Sequence, residues 1–504
     1  MCGIAAIWGD TDEPSIRVMM ERMGHRGPDA SGLHVADGGH AILGHQRLSI
    51  IDLESGDQPI VERGGAAAIV ANGEIYNYQE LRTEFPTSAF HTHSDSETAL
   101  QMYRTFGLDA PERLDGMYAF VVSDGEHIFA ARDPLGIKPL YMAKQNGALM
   151  FASELKALSG FADHIEEFPP GSVYHSELGF RRFYEVPEPP TDDGGYLSIE
   201  EAVREVREKL ETAVQKRLVA DVPVGALVSG GVDSSAVAAI ARQYVDELHT
   251  FAVGMPGSGD LEAARVVARH IGSVHHEYLF TRDDIREALP EVLYHLETYD
   301  EPSVHSSSAM YFAAKLAAEH LKVVLVGEGA DELFAGYPFY TDVPREHLNG
   351  LLRESVSALH NLSLQRVDRM SMAHGVEARV PFLDTELVAV AQRIHPDHKL
   401  LAGADGIPIE KWVLREAVAD LLPPEITWRK KAGFDQSTRA EDYFAEDIGH
   451  WMSAGEAERY RAERPMTSIR SHEEAVFHKL MSESFEEPEA VLRNIGRWGD
   501  VLKW

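Results

Sequence analysis

The stretch Ser229-Gly230-Gly231-Val232-Asp233-Ser234-Ser235 follows an apolar, strand-like run at 222–228, and a helical pattern begins at Ser234. Glycine turns and unpaired N–H groups at the start of a helix form a cradle for phosphate. The stretch is not a Walker loop, because it lacks the lysine and the spacing of one. A carboxylate repels phosphate, so Asp233 fits this place if Mg²⁺ lies between them. The stretch predicts a nucleotide-phosphate site; a simple glycine turn before a helix is the alternative.

The sequence around this stretch alternates between strand and helix patterns. Strand-like runs recur at 249–255 and 323–326, and a helical pattern covers 261–271. An amphipathic helix is predicted at 199–218, where apolar side chains form one stripe. Such alternation favours an α/β fold with a mostly parallel sheet covered by helices, followed by a helical C-terminal part.

A linker rich in proline, glycine and acidic residues, EVPEPPTDDGGYLS, occupies 185–198. Such composition is typical of an exposed connection, so we predict two domains, at 1–186 and 199–504. Before the linker, strand-like runs at 41–51, 67–71, 119–123, 127–131 and 149–152 alternate with turns, and helical spacing appears at 15–23 and 96–106. This pattern favours an α+β domain of stacked sheets flanked by helices.

The only cysteine of the chain, Cys2, follows Met1. Removal of Met1 would give one residue both a thiol and a free α-amino group. An α-amino group with a pKa of about 8 can accept the thiol proton near neutral pH. The position therefore suggests an N-terminal nucleophile that carries its own general base, although an accident of the second codon is the alternative.

The chain has 504 residues and a formal charge of −34, from 81 acidic and 47 basic residues. So acidic a surface repels nucleic acid and anionic membranes, and neither is expected as a partner. No apolar run is long enough to cross a bilayer, and one cysteine excludes a disulfide framework; we therefore predict a cytoplasmic protein. The acidic bias also suits a proteome adapted to a salty interior, although ordinary soluble proteins show such a bias too.

Ordered motifs lie on both sides of the linker: MCGI at 1–4, HRGPD at 25–29, GHQRLSI at 44–50, NGEIYN at 72–77, SD at 94–95, RDPLGIKPLY at 132–141, the serine-glycine stretch at 229–235, GEGADE at 327–332 and GVEARVPFLD at 375–384. Together these motifs resemble those of the glutamine-dependent asparagine synthetase family. The resemblance implies a class II glutamine amidotransferase domain with an N-terminal nucleophile-type αββα sandwich, followed by an ATP-pyrophosphatase synthetase domain.

In the amidotransferase domain, the resemblance implies that Cys2 attacks the side-chain amide of glutamine. Asn72 and the Gly73 N–H would form the oxyanion hole. Arg47 would bind the glutamine α-carboxylate, and Glu74 and Asp95 its α-ammonium group. The remaining residues implied at the glutamine site are Leu48, Ser49, Ile50 and Ile51.

In the synthetase domain, the resemblance implies an ATP site with Asp233 and Asp331 as Mg²⁺ ligands. The other residues implied at the ATP site are Leu227, Ser229, Gly230, Gly231, Ser234, Ser235, Val253, Val326 and Gly327. Glu328 would support the acyl-adenylate and its attack by ammonia. Lys431 would neutralise charge as pyrophosphate leaves, with Lys430 as a rival. Asp384 would support Glu328, or instead cap a helix.

The implied reaction converts aspartate to asparagine with ATP and glutamine, through an acyl-adenylate, and releases AMP, pyrophosphate and glutamate. Better-known relatives have an arginine near the acceptor, where this chain has His305 within 298–308. A second hypothesis therefore keeps the chemistry but changes the acceptor to a sugar acid, a peptide or a secondary-metabolite precursor. A third, a glutaminase or nitrogen sensor that only binds nucleotide, is disfavoured by the intact acids and Lys431. A homodimer is the family expectation.

Overall fold

Two antiparallel six-stranded sheets and one parallel five-stranded sheet form the framework of the computed structural model, which describes residues 2–36, 38–65, 67–403, 406–430, 438–465 and 467–501. None of the helices in these ranges combines the length and apolar character needed to span a bilayer.

The N-terminal half contains both antiparallel sheets. Its strands are β1 (Gly3–Gly9), β2 (Ala30–Val35), β3 (Ala41–Arg47), β4 (Ile60–Val61), β5 (Ala68–Ile75), β6 (Gly116–Ser123), β7 (Ile128–Arg132), β8 (Tyr141–Gln145), β9 (Ala148–Ala152), β10 (Ile165–Glu167), β11 (Ser172–His175) and β12 (Gly179–Arg182). Its helices are α1 (Glu13–Arg22), α2 (Tyr78–Arg82), α3 (Asp95–Phe106) and α4 (Leu155–Leu158). The sheet orders are β10-β8-β9-β1-β3-β2 and β12-β11-β7-β6-β5-β4.

The apolar pattern of β1 explains the layering. Ile4 and Ala6 pack in the core between the two sheets, whereas Ala5 and Ile7 belong to the core that includes α1. Successive side chains of a strand point to opposite faces, so a strand between two buried layers is apolar on both. Since α1 packs on β1 and β3, and α3 packs on β5, the predicted αββα sandwich is confirmed.

The C-terminal half contains the parallel sheet and most helices. Its strands are β13 (Val224–Leu227), β14 (His249–Gly254), β15 (Val274–Leu279), β16 (Val323–Leu325), β17 (Glu377–Arg379), β18 (Leu400–Ala402) and β19 (Pro408–Glu410). Its helices are α5 (Ile199–Lys216), α6 (Val232–Ala241), α7 (Gly259–Ile271), α8 (Arg282–Leu296), α9 (Glu301–Ala318), α10 (Ala330–Phe334), α11 (Arg345–Ala358), α12 (Ser363–Met372), α13 (Thr385–Gln392), α14 (Pro396–Lys399), α15 (Trp412–Ala417), α16 (Pro424–Thr427), α17 (Glu441–Asp447), α18 (Ala454–Ala462), α19 (His472–Ser484), α20 (Pro488–Leu492) and α21 (Trp498–Val501).

Short 3₁₀ turns complete the described structure. They cover Gly24–Arg26, Thr87–Ala89, Gly107–Arg113, Asp193–Gly195, Pro338–Asp342, Leu359–Asn361, Pro381–Leu383 and Ile448–His450. The predicted linker at 185–198 contains one of these turns and no strand.

The parallel sheet has the order β15-β14-β13-β16-β17. The chain therefore moves outward from β13 in one direction and then restarts beside it with β16. In open α/β sheets, ligands bind at the carboxyl ends of the strands where the order reverses. The serine-glycine stretch follows β13 and the GEGADE motif follows β16, so both lie at this switch point.

Buried ions join the two halves. Glu297, at the end of α8, accepts hydrogen bonds from the backbone N–H groups of Leu155 (3.1 Å) and Lys156 (2.7 Å) at the start of α4. The same carboxylate lies 3.0 Å from the Arg369 guanidinium on α12. Because these charged side chains are fully buried, removing one of them would leave a buried charge without a partner of opposite sign.

Candidate active sites

Cys2 is buried immediately before β1. Its backbone N–H donates to Asn72 Oδ1 at 3.0 Å, and its Sγ lies 4.0 Å from the Leu48 carbonyl oxygen. Burial raises the pKa of the Cys2 thiol. Since a buried thiol stays protonated, this nucleophile needs a base at close range. Met1 lies outside the described residues.

Asn72 and Gly73 lie side by side on β5. Asn72 is fully buried, and its Nδ2 has no hydrogen-bond partner among the described residues. A buried unsatisfied donor is unusual and indicates a missing acceptor. Gly73 has φ +139°, and a Cβ there would lie 2.0 Å from the Met117 carbonyl oxygen, so only glycine fits. The predicted oxyanion residues therefore lie together beside Cys2.

Arg47, the last residue of β3, is buried and close enough to Cys2 to act on its thiol electrostatically. It donates to Asp57 Oδ1 at 2.7 Å and to the carbonyl oxygens of Asp52 (2.6 Å) and Ile51 (3.2 Å). Asp57 is largely exposed, so a ligand carboxylate can replace it at low cost. Of the neighbouring predicted residues, Leu48, Ile50 and Ile51 are buried, and the Ser49 N–H donates to Asp29 at 2.7 Å.

Glu74 and Asp95 are buried next to each other and close to Glu377 of β17. Burial raises the pKa of Glu74 well above its usual range, and the nearby charges of Glu377 and Asp95 add to this effect. Burial also raises the pKa of Asp95. Arg379 lies 3.5 Å from Glu74 Oε1 and also pairs with Glu377. This excess of carboxylates is suited to receive an ammonium group.

Arg26, from the HRGPD motif, connects the nucleophile to the second half of the chain. Its Nε donates to the Cys2 carbonyl oxygen at 3.0 Å. Its Nη1 lies 2.7 Å from Glu154 and 2.8 Å from Asp368 of α12. Three further residues of α12, Ser363, Arg366 and Val367, line the cavity described next, so one helix contacts both sites.

A cavity of about 400 Å³ opens at the switch point of the parallel sheet. Predicted site residues that line it are Leu227, Ser229, Asp233, Ser234, Val253, Val326, Gly327, Glu328 and Asp331. Apolar and aromatic side chains complete the wall, among them Phe251, Tyr337 and Trp498. This is the usual composition of a small-molecule site.

Three predicted residues, Gly230, Gly231 and Ser235, do not line this cavity. Gly230 has φ +73°, and a Cβ there would lie 2.3 Å from Ala263 Cβ of α7. Ser235 is fully buried in α6. These residues shape the turn and its packing.

Asp233 and Asp331 converge on one cation. Lys411 Nζ, fully buried, lies 2.6 Å from Asp233 Oδ2 and 2.6 Å from Asp331 Oδ1. Two carboxylates that share a cation at a phosphate cradle have the oxygen donors that Mg²⁺ takes beside phosphate groups. The residues present therefore fit the predicted metal, with Lys411 as an additional charge at the same point.

The remaining predicted residues lie in different places. Glu328 accepts from Arg366 at 2.7 Å, and both line the cavity. Asp384 lies outside the cavity lining, accepts from the Glu386 N–H as the N-cap of α13, and pairs with Arg217 at 3.0 Å. Lys430 is exposed, and Lys431 lies outside the described residues.

His305 does not line the cavity, although Pro302 and Ser306 of the same helix do. It pairs with Glu473 of α19 and stacks on Phe444 at a centroid distance of 4.3 Å. In the structure His305 therefore faces Glu473 and Phe444, and its place near the acceptor stays a prediction. The cavity contains an arginine from another element, Arg366.

Sequence reasoning did not assign roles to several charged residues that the structure places at the two sites, among them Arg26, Arg366, Glu377, Arg379 and Lys411. Arg26, Glu377 and Arg379 lie within quoted motifs, which was the available signal. Lys411 had no signal, since nothing local marks a lysine that is buried between two carboxylates from distant loops.

Comparison with known proteins assigns each half of the chain to a known domain family. A profile of the glutamine amidotransferase domain matches residues 1–174, and one of the asparagine synthase family matches 205–355 and 345–494. The asparagine synthetase [glutamine-hydrolyzing] of Asparagus officinalis is 38% identical over 96% of this chain and 86% of its own length. That of Triphysaria versicolor is 41% identical over 86% and 77%, respectively.

Among solved structures, the glutamine phosphoribosylpyrophosphate amidotransferase from B. subtilis aligns with a TM-score of 0.32 and 20% identity, over 49% of this chain and 65% of that chain. Nothing further rests on that slight likeness. Because the asparagine synthase profile covers more than half of the chain and relatives align along nearly all of it, this chain belongs to the glutamine-hydrolysing asparagine synthetase family.

Proposed function

We propose that this protein converts aspartate to asparagine with ATP, and takes the nitrogen from glutamine. One observation carries the proposal: in one chain of this family, helix α12 connects the buried Cys2–Asn72 pair to a cavity lined by acidic residues. The names of the relatives favour aspartate over another acceptor.

Glutamine hydrolysis would begin at Cys2. Once Met1 is removed, the nitrogen that now donates to Asn72 becomes the α-amine that accepts the thiol proton. The thiolate attacks the glutamine side-chain carbonyl carbon. Asn72 Nδ2 and the Gly73 N–H would then donate to the oxyanion. Ammonia leaves with a proton returned by the α-ammonium, and water hydrolyses the thioester to glutamate.

The ends of glutamine would be held by charge. The substrate α-carboxylate takes the place of Asp57 on Arg47, which keeps its carbonyl contacts. The α-ammonium enters between Glu74 and Asp95. Burial raises the pKa of both carboxyls, and a neighbouring positive charge lowers it. Binding of the α-ammonium group would therefore favour the ionised form of both side chains. These contacts fix the amide in front of Cys2.

In the second site, ATP would occupy the cavity with its adenosine against Leu227 and Val253. Asp233 and Asp331 would hold Mg²⁺, which when bound offsets phosphate charge. Lys411 adds a positive charge at the same point, and Lys431 is proposed to do so as pyrophosphate leaves. The aspartate side-chain carboxylate attacks the α-phosphorus of ATP, and the resulting acyl-adenylate is an electrophile that ammonia can attack.

Ammonia must travel from Cys2 to the cavity without taking up a proton. Helix α12 lies between the two sites, with Asp368 paired to Arg26 on one side and Val367 in the cavity wall on the other. A passage along this helix would keep ammonia away from bulk water. A homodimer, a cytoplasmic location and adaptation to a salty interior remain predictions from the sequence.

The test incubates purified protein with ATP, Mg²⁺ and glutamine, and measures pyrophosphate release with aspartate or with each of a panel of other carboxylates. Release that depends on aspartate and yields asparagine is expected. Cys2→Ala should abolish the glutamine-driven reaction and retain the ammonium-driven one. Indifference to aspartate, or loss of both activities in Cys2→Ala, would contradict the proposal.

A further inference from the structure

Three histidines from three different elements meet at the side of the parallel sheet, away from the residues that the proposed reaction uses. His249 begins β14, His276 lies in β15, and His320 follows the end of α9. His249 and His276 are partly buried, and His320 is exposed. Nothing in the amide-forming chemistry requires these side chains.

The sheet register explains why they meet. His249 and Phe251 point to the same face of β14, because side chains alternate along a strand. The parallel pairing places His276 opposite Phe251, and α9 packs on the same two strands and delivers His320. The Phe251 ring lies beneath the group, with ring centroids 5.1 Å from His276 and 5.7 Å from His320.

The ring nitrogens lie close to the separation that a shared metal ion demands. His249 Nδ1 and His276 Nε2 are 3.0 Å apart, and one nitrogen from each of the three rings lies within 4.8 Å of the others. A tetrahedral ion with metal–nitrogen bonds of about 2.0–2.1 Å places its ligand nitrogens about 3.3 Å apart. Modest side-chain rotation of the exposed His320 is enough to close the difference.

Glu247 orients the first of these ligands. Its Oε1 lies 3.3 Å from His249 Nε2, and a carboxylate can only accept a hydrogen bond there. The proton of a neutral His249 is therefore on Nε2, and the Nδ1 lone pair points towards His276. Metal-ligating histidines usually donate their second N–H to a carboxylate in this way.

We propose that His249, His276 and His320 form a binding site for a divalent transition-metal ion of the Zn²⁺ class. Three neutral imidazoles suit Zn²⁺, Co²⁺ or Cu²⁺, and disfavour Mg²⁺, which prefers oxygen ligands. The fourth position faces solvent beside His320 and is filled by water. The ion ties β14, β15 and the end of α9 together behind the Phe251 side of the cavity wall.

The test titrates the EDTA-treated, full-length protein with Co²⁺, in excess Mg²⁺ and without nucleotide, and records the visible absorption bands. One Co²⁺ per chain with bands of four-coordinate geometry, displaced by one equivalent of Zn²⁺, is expected. His276→Ala and the exposed His320→Ala should each weaken binding at least tenfold. Glu247→Gln should weaken it by about tenfold, since a lost outer-shell carboxylate typically costs 10–100-fold.

Two matched variants control for other sites. His275→Ala removes the neighbouring histidine, which points to the opposite face and contacts Thr250 and Glu277. Glu473→Gln alters a separate group formed by Glu301, His305 and Glu473. Neither should change Co²⁺ affinity. Absence of saturable binding, wild-type affinity in His276→Ala or His320→Ala, or loss of binding in either control would overturn the proposal.

Discussion

Asn72 is the residue whose environment best matches its proposed role. Its side-chain oxygen accepts from the Cys2 N–H, so Nδ2 points away from the Cys2 nitrogen and can donate to another acceptor. A buried amide nitrogen with no partner among the described residues is a cost to the fold that an oxyanion would remove.

We therefore expect Asn72→Ala to lower kcat for glutamine hydrolysis by about 10²–10³, as is typical when one oxyanion donor is lost. Synthesis driven by added ammonium should be unchanged, because the second site is intact. Steady-state assays of glutamate formation measure glutamine hydrolysis, and assays of pyrophosphate release measure ammonium-driven synthesis. A rise in KM for glutamine at constant kcat would instead indicate a binding role.

Lys399 is a second buried residue with an unsatisfied polar atom among the described residues, and it does not line the cavity. It ends α14, is fully buried, and its Nζ has no hydrogen-bond partner among the described residues. Burial lowers the pKa of Lys399 to about 7. An unfolded lysine titrates near 10.4, so between pH 7 and 10.4 the unfolded chain binds more protons, and stability contributed by this group rises with pH.

Lys399→Met should accordingly raise the free energy of unfolding at pH 7 and below, by at most about 5 kcal/mol. The gain should shrink as the pH rises from 7 towards 10.4 and vanish above that, where the lysine is neutral in both states. Urea unfolding at several pH values measures this, with Met in place of the exposed Lys144 as the control. A gain that is independent of pH would mean that packing, and not charge burial, is responsible.

At the scale of elements, the turn between β13 and α6 shows how a local motif depends on its neighbour. Gly230 and Gly272 have similar positive φ angles, +73° and +67°. A Cβ at Gly230 would meet Ala263 Cβ at 2.3 Å, whereas no atom of the described residues lies within 4 Å of one at Gly272. A substitution at Gly272 would therefore introduce only backbone strain, whereas one at Gly230 would introduce backbone strain and steric overlap.

Gly272→Ala should destabilise the protein by about 1 kcal/mol, the usual cost of a non-glycine residue in this conformation, and leave turnover unchanged. Gly230→Ala should cost several times more and raise KM for ATP, because α7 must move away from the turn. Thermal unfolding and ATP-dependent pyrophosphate release test both. Equal effects of the two substitutions would show that only the φ angle matters.

At the scale of the whole molecule, the net charge of −34 acts on the fold as a whole. Mutual repulsion of carboxylates favours the expanded chain, and salt screens it. The Debye length falls from about 10 Å at 0.1 M salt to about 3 Å at 1 M.

We expect the melting temperature to rise when KCl is increased from about 0.1 M to 1 M, most steeply at the low end, where the Debye length changes fastest. Differential scanning calorimetry in KCl and in NaCl at equal ionic strength measures this. Equal gains in the two salts would support screening. A melting temperature that stays flat or falls would contradict the expectation.

Sequence patterns located most of the elements that they predicted. The runs at 41–51, 67–71 and 249–255 correspond to β3, β5 and β14, and the helical pattern at 199–218 corresponds to α5. They missed β1 at Gly3–Gly9, since a strand covered on both faces has no alternation, and α9 at Glu301–Ala318, which is buried along most of its length. The domain limits of 1–186 and 199–504 stay predictions.

The sequence by itself determined the family and the candidate catalytic and binding residues. Short motifs such as MCGI, NGEIYN and GEGADE encode local turns and reactive groups in consecutive positions. Only the tertiary structure decided what these groups face. Lys411 between Asp233 and Asp331, Glu377 beside Glu74, and Arg26 between Cys2 and Asp368 all join segments distant in the chain. The energy of a buried charge depends on the partners that packing brings within a few ångströms, and no local pattern records those partners.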